Sequence, residues 1–262
     1  LPVTDLSVAP TALPAVGCGL LSIGRDWGVA NGIPPSEQET MLFLQGAVDA
    51  GVRLFDTAPS YGSSETRFGS FLRSVGKEVS DNLIIATKMG EHWDEEKNAP
   101  FVDHTFDKLR LSIDQSLQRL GRIDLLQLHI ATLDNVDCDD VLQAIEYAKT
   151  GGIDLFGASL KDMRTAQRAC HSGAYQTLQL SYNRLNQSMT PVFDLAATND
   201  IATLINRPLA MGALADPKDK TVALKQAFEF VRHACPGGTI LTGTKSLGHL
   251  KQNLTALGFW DS

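Results

Sequence analysis

An aspartate, a tyrosine, a lysine and a histidine stand at or just past the ends of apolar runs: Asp56 and Tyr61 in LFDTAPSYG, Lys88 in LIIATK, and His129 in LLQLH. A phenol with an ordinary pKa of about 10 is a poor acid at neutral pH. A nearby ammonium favours the phenolate and eases release of the proton. In such a set Lys88 would tune Tyr61, Asp56 would hold Lys88 charged and in place, and His129 would orient a substrate oxygen. The result is a proton donor for a carbonyl oxygen as negative charge develops on it. An electron source is still required. The sequence shows no flavin signature, and His92 and His129 lack matching metal ligands at plausible spacing. A hydride cofactor and a small-molecule carbonyl substrate are the expected partners.

These residues must be carried by an alternating scaffold. Short apolar runs at 15–20, 53–56, 83–88, 123–129, 153–159, 177–181, 201–206 and 239–242 read as strands. Between and after them, periodic segments at 36–50, 64–75, 105–120, 139–149, 162–171, 191–198, 221–234 and 247–257 read as helices. Ser36 and Glu39 fit a capping box, and Gly51 and Gly121 are placed to stop the helices before them. Strands that are nearly continuous apolar runs fit a parallel sheet covered on both faces. Eight such strand–helix units predict a (β/α)8 barrel of TIM type, a single domain over 1–262. A dinucleotide-binding Rossmann motif gets little support, because Gly17-Cys18-Gly19 is followed by no suitable third glycine.

In such a barrel the reactive groups lie at the carboxyl ends of the strands. Those positions hold Asp56 with Tyr61, Lys88, His129, Ser159, and Gln179 with Asn183. Trp27, His92 and Trp93 fall in the loops after the first and third strands and are expected to line a substrate pocket. Composition narrows the partners. A net charge of −7 disfavours nucleic acid, which needs a basic face. No apolar run approaches the roughly 20 residues that span a bilayer, and the first ten residues lack the pattern of a secretory leader. Cys18, Cys138, Cys170 and Cys235 are scattered, as free thiols in a reducing compartment would be. A soluble cytoplasmic protein without a membrane partner is the expectation.

The set Asp56, Tyr61, Lys88 and His129, in the settings FDTAPSYG, ATKMG and LQLH, resembles the aldo-keto reductase superfamily over nearly the whole chain. FDTAPSYGSSE is the most specific stretch and GTKSLGHLKQN the second. The resemblance implies a (β/α)8 barrel that binds a nicotinamide cofactor, NADP(H) or NAD(H), without a Rossmann fold. It implies reversible reduction of an aldehyde or ketone, with Asp56, Tyr61, Lys88 and His129 as a catalytic tetrad and Tyr61 as general acid. By the same resemblance, Ser159 and Gln179 would hold the nicotinamide carboxamide. Asn206, Arg207 and Leu209 would run along the nicotinamide and pyrophosphate. Gly243, Thr244, Lys245, Ser246, His249, Gln252 and Asn253 would surround the adenosine phosphate. A helix start near Leu247 suits an anion, because its free N–H groups and positive dipole end face outward.

Singly, each of these residues has a plainer reading. Asp56 could cap a turn, Lys88 could be a solvated lysine, His129 a core histidine, and Tyr61 a packing aromatic. Their order at the ends of successive strands favours chemistry. Two other functions use the same residues: a Schiff-base aldolase built on Lys88, and a barrel of this fold that binds cofactor as a redox-sensing partner subunit with little turnover of its own.

Overall fold

A computed structural model describes residues 13–26, 32–215 and 219–260. The first strands are β1 (Val16–Gly19), β2 (Leu54–Asp56) and β3 (Ile84–Met89), followed by a hairpin of β4 (Glu91–Asp94) and β5 (Ala99–Val102). Then come β6 (Leu125–Leu128), β7 (Phe156–Ser159), β8 (Thr177–Ser181), β9 (Ala202–Asn206) and β10 (Thr239–Gly243). All but the hairpin strands form one closed barrel, in the order β1, β2, β3, β6, β7, β8, β9, β10, with every neighbouring pair parallel. The eight-stranded (β/α)8 barrel expected from the alternation is therefore the fold.

The helices that cover it are α1 (Leu21–Gly24), α2 (Glu37–Asp49), α3 (Ser64–Ser74), α4 (Lys77–Asp81) and α5 (Phe106–Leu120). They continue with α6 (Asp139–Thr150), α7 (Met163–Ser172), α8 (Thr190–Thr198), α9 (Lys220–Ala234) and α10 (Leu247–Ala256). The capping box forms as read: Ser36 Oγ accepts from the Glu39 N–H at 3.2 Å, and Glu39 Oε2 accepts from the Ser36 N–H at 2.8 Å. Gly121 ends α5 with φ of 83°, a value a residue with a side chain resists. Helices α1 and α4, the β4–β5 hairpin and a 3-10 turn at Ala210–Gly212 were not expected from the sequence.

Alternation along each strand divides its side chains between two cores. Phe55, Ile85, Leu126, Leu178, Ile205 and Ile240 face outward and pack in the large core under the helices. Leu54, Ala86, Leu125, Leu204 and Leu241 form a separate small cluster that fills the barrel. Residues two positions further along share the inner face. Leu54 is followed by Asp56, Ala86 by Lys88, Leu125 by Gln127, and Leu204 by Asn206. The apolar layer thus carries a polar layer above it at the carboxyl ends of the strands.

The loop after β2 is fixed by close backbone approach. The carbonyl of Tyr61 accepts from the Ser64 N–H, and the carbonyl of Gly24 accepts from the Ser63 N–H, each at 3.2 Å. Ser64 Oγ donates to the Leu20 carbonyl at 3.0 Å and pairs with Thr57 Oγ1 at 2.8 Å. Gly24 and Gly62 meet face to face: a Cβ on Gly24 would lie 1.9 Å from the Tyr61 carbonyl oxygen, and Gly62 has φ of 58°. Glycine at position 24 is what lets α1 press the Tyr61 turn against the barrel. Gly24→Ala is expected to cost roughly 1–3 kcal/mol through overpacking, read as a lower urea midpoint at unchanged m-value. A midpoint equal to wild type would show that the turn has room to spare.

Candidate active site

Asp56 is the hub of the polar layer. Its carboxylate is 4% exposed, and each oxygen is taken by a partner from another strand. Lys88 Nζ donates to Oδ2 at 2.7 Å, while Gln127 Nε2 and Gln179 Nε2 donate to Oδ1 at 2.9 and 3.2 Å. Lys88, fully buried, also donates to the Thr57 carbonyl at 2.9 Å. Register explains the meeting: Lys88 pairs with Gln127 across β3 and β6, and their side chains therefore project from the same face. Burial alone would push Lys88 towards its neutral form, but Asp56 and then Tyr61 outweigh it and hold its pKa above the usual lysine value.

Tyr61 lies over this ion pair, with the Lys88 ammonium 4.9 Å from its ring centroid. Burial raises the phenol's pKa, Lys88 pulls it down, and Asp56 and Glu91 push it back up, so the net shift is upward. Tyr61 is therefore protonated at neutral pH, and Lys88 is the largest influence easing its ionisation. The His129 ring stands edge-on to Tyr61, with centroids 6.0 Å apart. Burial keeps His129 well below the usual histidine pKa, helped by the positive charges of Lys88, Arg25 and Lys161. Its Nδ1 is 3.1 Å from Glu91 Oε2 and 3.5 Å from Ser60 Oγ. The main-chain carbonyl of His129 accepts from His104 Nε2 at 2.8 Å, and His104 Nδ1 in turn accepts from Asn135 Nδ2 at 3.2 Å.

The pocket residues read from the sequence part company. Trp93 faces the site: the Arg25 guanidinium sits 5.4 Å from its ring and 6.0 Å from that of Tyr61. His92, on the opposite face of β4, packs on Phe101 and hydrogen-bonds the Asp103 carbonyl through Nε2 at 2.9 Å, which makes it part of the hairpin's own packing. Trp27 lies outside the described residues. Gln127, Glu91, Arg25 and Lys161 were not singled out in the sequence. Gln127 had a signal in its position two residues past Leu125 on the inward face of its strand. Glu91 and Arg25 sit where no periodicity points.

The residues assigned to a cofactor fall into three groups. Ser159 and Gln179 are register partners on β7 and β8, but Gln179 is 1% exposed and spends its amide on Asp56. Asn206 accepts from Ser181 Oγ at 2.5 Å, and the Arg207 carbonyl accepts from Asn183 Nδ2 at 2.9 Å. Arg207, Ala210 and Met211 all have positive φ, around a turn that keeps Leu209 against the core. Beside this turn lies a cavity of about 330 Å³ whose walls include Lys161, Ser181, Asn183 and Arg207. At the end of β10, exposed Gly243 leads to Thr244, whose Oγ1 accepts from the Ser246 N–H at 3.1 Å. Ser246 caps α10 by accepting from the His249 N–H at 3.3 Å. Lys245 Nζ donates to the Ile33 carbonyl at 2.6 Å, His249 and Gln252 are exposed, and Asn253 is buried. The cavity wall carries two cationic side chains, Lys161 and Arg207, and such groups, like the N–H groups at a helix start, suit phosphate oxygens.

The ion pair at the hub makes a stability prediction. Lys88→Met leaves the Asp56 carboxylate buried without its counter-charge and is expected to cost about 3–5 kcal/mol. Replacing both partners, Asp56→Asn with Lys88→Met, is expected to be less destabilising than Lys88→Met alone. Chemical denaturation of the two proteins checks this, and a double variant weaker than the single would contradict it.

Comparison with known proteins places this arrangement. The profile of the aldo/keto reductase family matches residues 15–257. The chain is 34% identical over 145 residues to the D-threo-aldose 1-dehydrogenase of a Pseudomonas species, covering 47% of this chain and 42% of that one. It is 28% identical over 215 residues to the L-galactose dehydrogenase of Arabidopsis thaliana, covering 77% and 63%. The chain thus spans less than two thirds of the length of either relative. The crystal structure of PA4992 from Pseudomonas aeruginosa superposes with a TM-score of 0.78 at 29% identity, covering 97% of this chain and 93% of that one. A family match running from the first barrel strand to the last helix leaves one assignment: the chain belongs to the aldo/keto reductase family.

Proposed function

We propose that the barrel mouth interconverts a small-molecule carbonyl and its alcohol with a nicotinamide cofactor, with Tyr61 as the proton donor to the carbonyl oxygen. The observation that carries this reading is the stack of Asp56, Lys88 and Tyr61. A buried carboxylate holds a lysine charged at 2.7 Å, and that lysine lies 4.9 Å from the ring of a protonated phenol. When bound, the cofactor supplies the hydride that the carbonyl carbon accepts. NADP(H) is the expected form and NAD(H) the alternative. Lys161, Arg207 and the start of α10 would hold its phosphates, and Ser159 and Asn206 would meet its nicotinamide end.

The chain's own part is proton chemistry. As hydride reaches the carbonyl carbon, negative charge grows on the oxygen and the Tyr61 phenol transfers its proton there. The phenolate left behind is stabilised by the Lys88 ammonium until it takes a proton from solvent. Asp56 keeps Lys88 cationic throughout. In the reverse direction the phenolate removes the alcohol proton, so the same groups serve both directions. The names of the two curated relatives, an aldose dehydrogenase and a galactose dehydrogenase, put sugar-like alcohols on the substrate panel beside aldehydes and ketones.

The test is steady-state turnover of NADPH and of NADH with an aromatic aldehyde, in wild type and Tyr61→Phe. The variant is expected to lose roughly 10²–10⁴-fold in kcat while its cofactor affinity stays within a few-fold. A variant as fast as wild type would remove Tyr61 from the mechanism. Tight cofactor binding without turnover in either protein would favour the partner-subunit reading.

A further inference from the structure

Arg25 is anchored to the turn that carries Tyr61. It directly follows α1 with an extended backbone, and its N–H returns to the Leu21 carbonyl at 3.3 Å. The carbonyl of the preceding Gly24 accepts from the Ser63 N–H at 3.2 Å and from Ser63 Oγ at 3.3 Å. A Cβ on Gly62 would lie 3.4 Å from the Arg25 Cβ, so the root of this side chain rests on the residue after Tyr61. From that root the guanidinium reaches two rings. Its carbon is 5.4 Å from the Trp93 ring centroid and 6.0 Å from that of Tyr61. An aromatic face holds a cation in place without cancelling its charge.

That charge acts inside the mouth. After burial and Lys88, Arg25 is the next largest influence keeping the His129 pKa low. Glu91, the acid on the same face of β4 as Trp93, directs its Oε2 to His129 Nδ1 at 3.1 Å. The order of the strands sets Arg25 apart from the cations proposed for the cofactor phosphates. Arg25, Tyr61 and Trp93 come after β1, β2 and β3, whereas Lys161 and Arg207 come after β7 and β9. One arc of the mouth thus presents cations on a cavity wall, and another pairs the proposed proton donor with a guanidinium. The planar fork of N–H donors on a guanidinium matches a carboxylate. In a chain of net charge −7, a cation fixed beside Tyr61 selects for negative charge where the rest of the surface repels it.

We propose that Arg25 is a specificity residue that binds a substrate carboxylate, so that the mouth favours aldehydes and ketones bearing a carboxylate a few bonds from the carbonyl. With the carbonyl oxygen at the Tyr61 hydroxyl, the guanidinium beside that ring is within reach of an acid group on the same small molecule. A neutral carbonyl compound of the same shape leaves that contact unmade. The carboxylate stays ionised throughout and takes no part in proton transfer. This substrate class rests on the carbonyl–alcohol reading of the mouth; the binding of a carboxylate at Arg25 does not.

The test compares meta- and para-carboxybenzaldehyde with the formylbenzamides of the same shape, in wild type, Arg25→Met and Arg25→Lys. Acid and amide differ chiefly in charge, so their ratio of kcat/KM within each protein isolates the contact. Wild type is expected to favour at least one acid over its amide roughly tenfold, mainly through KM, with added salt shrinking the ratio. The ratio should fall to near one in Arg25→Met and be partly restored in Arg25→Lys. Guanidinium 15N NMR of the cofactor-free protein, with the Arg25 signal assigned by Arg25→Met, supplies a readout without turnover. The unreactive meta- and para-toluates should move that signal, and the corresponding toluamides should leave it in place. Equal rates for acid and amide in wild type overturn the specificity. An acid preference that survives in Arg25→Met belongs to another cation and overturns the role of Arg25. An Arg25 signal that answers the toluates in a protein turning over no aldehyde would sustain the carboxylate site and sink the proposed reaction instead.

Discussion

The buried pair of Asp56 and Lys88 is the constraint around which the mouth of the barrel is arranged. A lysine with no exposed surface stays charged only if a counter-charge and hydrogen-bond acceptors are supplied in place of water. Asp56 Oδ2 and the Thr57 carbonyl supply them, and the remaining carboxylate oxygen is satisfied by Gln127 and Gln179. Four strands must therefore agree in register before the charge can be buried. Once they do, a fixed ammonium lies beneath Tyr61, and the character of that phenol follows from it.

The barrel provides this agreement cheaply in sequence terms. On β2, β3, β6 and β9 an apolar residue facing inward is followed two positions later by a polar one, and the pleat places both on one face. The outward residues between them seal the sheet to the helices. The buried Glu65 on α3 shows the same economy outside the barrel: its carboxylate takes Thr87, Ser116 and Arg119 and ties β3 to α3 and α5 one residue before Lys88. The positioning of Lys88 is thus supported from both sides of its strand.

Much of this was legible in the sequence, for physical reasons that also explain what was not. Runs such as LIIATK and LLQLH announce themselves as strands because both faces are buried, and FDTAPSYG stands out because an acid closes an apolar strand. The β4–β5 hairpin was hidden, since EHWD and APFV alternate weakly and Pro100 argues against a strand. Gln127 was passed over inside an apolar run, although its place two residues after Leu125 puts it on the inner face. Gln179 was assigned to a cofactor by resemblance alone, and its bond to Asp56, which register brings about, was not read from the sequence. Glu91 and Arg25 depend on how loops fold over the mouth, which no local periodicity encodes.

The central claim is that Lys88 eases the ionisation of a phenol that burial would otherwise make still weaker as an acid. The most direct measurement is a pH titration of Tyr61 by 13Cζ-tyrosine NMR in wild type and in Lys88→Met, under conditions where circular dichroism shows both folded. The account predicts a higher Tyr61 pKa in the variant. A pKa unchanged or lowered by loss of the ammonium would contradict it.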